Sequence, residues 1–313
     1  MSVEAYMAAC NDFYYGTRDP LGAGGDFTTA PEIHQMYGEM IGAALADAWD
    51  RAGRPEGVRY AELGPGRGTL AVDVLRVLAV AGCVPASVEL VEASKVLRAA
   101  QAERLPTAIF HDAIAGLAEG DEPLLIVASE FFDALPVRQF VDERERHLVL
   151  AAGGFAFDRD GAVVERSPAR EEAMAALAGV LIGKGGVAVV IDYGHDREGA
   201  VGDTLQAVHG HRFAYVLDRP GEQDLTAHVD FAALAKAATS AGVIASRAVS
   251  QGSWLETLGI GARAVALAAS NPAETDAIAV ARRRLCDEGE MGRLFKVMAV
   301  RHPDWPEIAG IER

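Results

Sequence analysis

Two acid-bearing stretches have residue types and spacings that could do chemistry. In the first, Glu62 precedes Gly64, Gly66 and Gly68, and Thr69 follows. Glycines at alternate positions let the backbone turn tightly and let a ligand approach the main chain. A phosphate loop would place Lys after the last glycine, where Thr69 stands. A dinucleotide site would use G-x-G-x-x-G, and the spacing here is G-x-G-x-G. The carboxylate ahead of the turn suits a cationic ligand. S-adenosylmethionine, with an ammonium and a sulfonium and no phosphate for a helix N-terminus to hold, fits that description. The second stretch is Ser129-Glu130-Phe131-Phe132-Asp133. Its two acids share one face if the segment turns helically. Ser129 and Phe131 then read as the wall of a substrate site. The plainer alternative is a helix-start cap by Glu130 with both phenylalanines in the core.

Both stretches need strands to aim them. The chain alternates strand and helix from Val58 onward, which predicts a parallel sheet covered on both faces. The opening strand delivers Glu62, and a helix with Leu70, Val74 and Leu78 on one face follows the glycines. A second strand, 87–92, ends at Glu92, about 24 positions after Gly68. There an α/β nucleotide fold places the carboxylate that accepts ribose hydroxyls. A third strand, 107–110, leads to Asp112, placed to accept from an adenine amino group. The fourth, 124–128, runs into the acid pair. The fifth, 185–192, ends at Asp192 and Tyr193. A sixth spans 243–249 and the last 295–300. The last strand arrives without a crossover helix of the same type. This predicts an α/β, doubly wound, mostly parallel seven-stranded sheet of the class I methyltransferase type, with the last strand antiparallel.

Residues 2–10 read as a short helix. Residues 14–30 read as a loop, rich in glycine and proline, before a helix that starts near Pro31, is capped by Thr28 or Thr29, and runs to Trp49. Residues 1–50 are expected to act as a flap over the cofactor, with Asp26 and Thr28 as polar contacts; a plain surface arm is the alternative. Residues 51–313 form the main domain. Three insertions interrupt it, at about 138–166 (antiparallel), 195–228 (polar and irregular) and 251–290 (helical). The pair His209 and His211 lacks partners at metal-ligand spacing, so no metal is expected.

The formal charge of −16 argues against nucleic acid as a partner. No apolar run has the length of a membrane span. Cys10, Cys83 and Cys286 are far apart, as in a reducing compartment. Glu4 and Asp12 are wrong for a transit peptide, so the expected location is cytoplasmic. A homodimer is compatible with the sequence, which leaves the oligomeric state open.

Several stretches together resemble the MidA-like group of S-adenosylmethionine-dependent methyltransferases. They include Gly25-Asp26-Phe27-Thr28-Thr29-Ala30-Pro31-Glu32-Ile33, Glu62–Leu70, Glu130-Phe131-Phe132-Asp133-Ala134-Leu135-Pro136, Ile191-Asp192-Tyr193-Gly194, Asp224–Phe231 and Met291–Lys296. Ser129 stands where that group usually has Asn. Its mitochondrial members are complex I assembly factors that symmetrically dimethylate an arginine. The resemblance therefore implies a protein substrate presenting an arginine, such as a complex I subunit. For a guanidinium, Glu130 and Asp133 are the candidate catalytic carboxylates, with Asp192 and Tyr193 lining the site. Three other readings use the same residues: a small-molecule methyltransferase, an NAD-dependent oxidoreductase and a non-catalytic assembly factor. A thermal shift with NAD alone would mark the oxidoreductase. Partner binding that survives Gly66→Val would mark the assembly factor.

Overall fold

The computed structural model describes residues 1–17 and 29–311. The central sheet is built from β1 (Arg59–Leu63), β2 (Val88–Val91), β3 (Ile109–His111), β4 (Leu124–Ser129), β5 (Gly186–His195), β6 (Ile244–Ala245) and β7 (Phe295–Arg301). They lie in the order β3-β2-β1-β4-β5-β7-β6. The pairs from β3 to β5 are parallel, and β7 is antiparallel to β5. The expected sheet is therefore present. The expected sixth strand is broken. Its ends, Ile244–Ala245 and Val249–Ser250, each pair with β7 around an interruption.

Alternation along the strands fills two cores, because successive side chains point to opposite faces. Leu125, Val127, Val187, Val189 and Ile191 enter one core, with α3 (Met36–Arg51), α4 (Thr69–Val80) and the helices of 251–286. Leu124, Ile126, Ala128, Ala188 and Val190 enter the other, with α6 (Pro168–Lys184) and α7 (Phe231–Ser240). Asp230 caps α7 by accepting from the Ala233 amide at 3.0 Å. Ser94 likewise caps α5 (Lys95–Arg104) through the Leu97 amide.

Three local expectations are corrected. Tyr14 to Thr17 belong to α1 (Val3–Thr17), not to a loop: Tyr14 is fully buried and prolongs the helix's apolar face. The helix expected from Pro31 is two helices, α2 (Ala30–Ile33) and α3, because His34 is extended at φ −168°. Residues 195–228 are not irregular. Strands Gln206–His209, Arg212–Ala214 and Asp224–Thr226 form a small antiparallel sheet. That sheet buries Ala207 and Leu225 against Val3, Met7 and Cys10 of α1 in a third apolar cluster. The insertion at 138–166 is antiparallel as expected.

Candidate active site

The strand order reverses between β1 and β4, so a crevice opens at their carboxyl ends, where α/β sheets bind ligands. A cavity of about 970 Å³ occupies that crevice. Glu62, Gly64, Gly66, Glu92 and Asp112 line it on one side, and Ser129, Glu130, Phe131, Asp133 and Tyr193 on the other. The structure thus brings together most of the residues expected from sequence. Asp26 and Thr28 lie outside the described residues.

The glycine turn needs its glycines. Gly64, Gly66 and Gly68 have φ of 62°, 54° and 78°, in the left-handed region that L side chains avoid. A Cβ on Gly64 would also lie 3.0 Å from Cδ2 of Phe131. Gly68 does not line the cavity. It takes the N-cap position of α4 and ends the turn.

Glu62 is 2 % exposed and accepts a 2.8 Å hydrogen bond from the Tyr60 hydroxyl. Burial pushes its carboxyl up to about 8, which the Tyr60 bond only partly opposes. Among the described residues no basic side chain bonds it, and a ligand ammonium gains most beside such a buried carboxylate. Glu92 accepts from the Ser94 amide at 2.8 Å and from Gln101 Nε2 at 3.2 Å. These bonds aim it into the cavity, and burial raises its pKa. Asp112 stands at the rim with its side chain exposed, 2.6 Å from Arg98 Nη2. An acid at the strand end, a turn open to main-chain approach and a second acid for hydroxyls fit S-adenosylmethionine.

Across the cavity, Glu130 has φ 54°, a left-handed conformation that is strained for a residue with a side chain. Residues 130–135 form a turn and not the helix the acid spacing suggested, with the Leu135 amide bonded to Phe132 O. Phe132 is core and Phe131 lines the cavity, so the two phenylalanines divide. The Glu130 carboxylate does act as a helix cap, but for another helix: it accepts from the Ala30 amide at the start of α2, at 2.8 Å. Burial, helped by the charges of Asp133 and Asp224, pushes Glu130 up to about 8. Burial also raises Asp133, against the Tyr193 hydroxyl and the Arg170 guanidinium. Ser129 Oγ meets the Tyr37 hydroxyl at 2.9 Å.

Asp192 is corrected. It is fully buried and does not line the cavity. Its Oδ2 accepts from the amides of Phe132 and Asp133 at 3.0 and 3.1 Å, so it holds the turn from behind.

Sequence reading missed two contributors. Asp224 is 5 % exposed, lines the cavity and accepts from the Tyr15 hydroxyl at 2.7 Å. Its acidic side chain inside a short strand was the available signal. Arg170 is buried near the start of α6 and donates to the carbonyls of Phe132, Asp133, Ala227 and His228, at 2.6–2.9 Å. A lone arginine in a helix gives no signal of such a role.

The chain matches, over residues 40–153 and 150–249, a family model described as "Putative S-adenosyl-L-methionine-dependent methyltransferase". It is 33 % identical over 339 residues to the mitochondrial protein arginine methyltransferase NDUFAF7 of Danio rerio, covering 92 % of this chain and 79 % of that protein. The Drosophila melanogaster homologue of NDUFAF7 is also 33 % identical, covering 92 % and 77 %. A crystal structure from Burkholderia thailandensis, bound to S-adenosyl-homocysteine, superposes with a TM-score of 0.84 at 26 % identity, covering 99 % of this chain and 89 % of that one. The cytoplasmic expectation is overturned by relatives named as mitochondrial. It rested in part on Glu4 and Asp12, which belong to α1, a helix packed against the insertion sheet. The oxidoreductase reading also falls, since the cofactor of the matched model is S-adenosylmethionine. Sheet, cavity and sequence agree, and the chain belongs to this family of S-adenosylmethionine-dependent methyltransferases.

Proposed function

We propose that the enzyme methylates arginine in a protein substrate, a complex I subunit or a similar protein. The observation that carries this reading is that Glu130, Asp133 and Asp224 line the same cavity as Glu62 and Glu92. A guanidinium is a planar cation with donors that match carboxylates. The naming of the relatives as protein arginine methyltransferases supports it.

S-adenosylmethionine supplies a methyl group on a sulfonium. Glu62 would hold the ammonium of that ligand and Glu92 its ribose hydroxyls, with Asp112 placed for the adenine. Tyr15, Pro31 and Glu32 of the N-terminal segment also line the cavity. Glu130 and Asp133 orient the guanidinium so that one nitrogen faces the methyl, the positioning on which such displacements depend. The nitrogen forms the new C–N bond as the C–S bond breaks, and one proton leaves the guanidinium. A carboxylate with proton affinity raised toward 8, as at Glu130, takes that proton better than an ordinary one.

With an arginine-bearing protein acceptor, Glu130→Gln is expected to lower turnover by about a hundredfold or more. Cofactor affinity, measured by calorimetry, stays nearly intact. Loss of cofactor affinity in step with turnover would refute the assignment of Glu130 to the acceptor.

A further inference from the structure

The small sheet of the second insertion places a row of unlike residues across its strands. Asp224 is directly opposite Val208, and Val208 directly opposite Phe213. All three line the cavity. Asp224 is 5 % exposed, whereas Phe213 is 80 % exposed. The row therefore runs from a buried carboxylate at the acceptor end, over a valine, to a phenylalanine in water. Adjacent strands are about 4.8 Å apart, so the row is roughly 10 Å long. The opposite face of the sheet, Ala207 and Leu225, is fixed against α1. Among the described residues, Arg212–Ala214 pairs on one side only.

We propose that this row is the docking shelf for the polypeptide that carries the acceptor arginine. The guanidinium lies at the acidic end, and an apolar side chain of the same segment rests on Val208 and Phe213. An extended chain rises about 3.3 Å per residue, so that side chain belongs to a residue within about three positions of the arginine. The occupant is chosen by complementarity: carboxylates for the cation and an exposed aromatic for an apolar neighbour. The proposal rests on the arginine reading above.

The test uses synthetic peptides with one arginine and either Leu or Ser at each of the neighbouring positions, with labelled S-adenosylmethionine as donor. For the wild type, Leu at one offset within three residues is expected to lower KM by about tenfold or more relative to Ser, the scale set by burying a leucine side chain. Phe213→Ser should raise the KM of the Leu peptide to that of the Ser peptide while still binding S-adenosylmethionine. Leu150→Ser removes another exposed apolar side chain, on a separate hairpin, and should keep the preference. A Leu preference that is absent, or that survives Phe213→Ser, overturns the shelf and leaves arginine methylation standing. If the wild type labels no arginine peptide, the arginine reading fails and the shelf fails with it.

Discussion

Glu62 shows how the site holds tension at a single residue. Its carboxyl ionises near 8 in the folded chain and near 4.3 in an unfolded one, so the folded state binds the proton more tightly. The resulting destabilisation is absent below about pH 4, grows as pH rises between the two values and is complete above 8. Glu62→Gln should therefore raise the melting temperature of the cofactor-free protein more at pH 9 than at pH 5. The difference corresponds to a few kcal/mol, since each tenfold change in proton affinity is worth on the order of 1.4 kcal/mol. The same change should weaken S-adenosylmethionine binding about tenfold or more, since a charged hydrogen bond is lost. A melting-temperature gain that is equal at both pH values would contradict this account. Glu130 carries a second kind of cost, a left-handed backbone worth on the order of 1 kcal/mol. Glycine would adopt that conformation freely; the Glu130 side chain that takes it instead bonds the Ala30 amide and lines the cavity.

At the scale of elements, the turn that carries Glu130 and Asp133 is held by Arg170 and Asp192. Arg170 donates to carbonyls of two segments, 132–133 and 227–228, and Asp192 accepts from the amides of Phe132 and Asp133. Lysine cannot replace a planar fork that reaches four acceptors. Arg170→Lys should lower turnover by about tenfold, the cost of misplacing a reacting group by a fraction of an ångström. It should leave cofactor affinity intact, because the β1 and β2 ends are untouched. Equal losses in both measurements would show a general unfolding defect instead. The elements themselves differ in how readable they were. The central strands were legible because their apolar runs are bounded by turns, and Glu62, Glu92 and Glu130 were legible because they end such runs. The sheet at 206–226 was not. Its strands are three or four residues long, and one face carries Gln206, Asp224 and Thr226 into the cavity, so it reads as a polar loop. Asp192 misled for the opposite reason: an acid at a strand end looks like a site residue, yet here its partners are backbone amides.

At the scale of the molecule, strand ends of the methyltransferase sheet and the insertion sheet line one cavity together: Glu62, Glu130 and Tyr193 come from the former, Val208, Phe213 and Asp224 from the latter. The insertion sheet and α1 share the third apolar cluster. Asn11 of α1 also bonds the carbonyls of Ala134 and Leu225 at 2.9 and 2.8 Å. The segments that carry Asp133 and Asp224 are thus tied to the N-terminal helix, and both acids line the cavity of about 970 Å³. The central claim is that this cavity delivers a methyl group to arginine in a protein. It is tested most directly by incubating the enzyme with methyl-labelled S-adenosylmethionine and cell-lysate proteins, then hydrolysing the proteins to amino acids. The account predicts label in methylarginine with the wild type and little with Glu130→Gln. Label found only in small molecules, or in amino acids other than arginine, would contradict it.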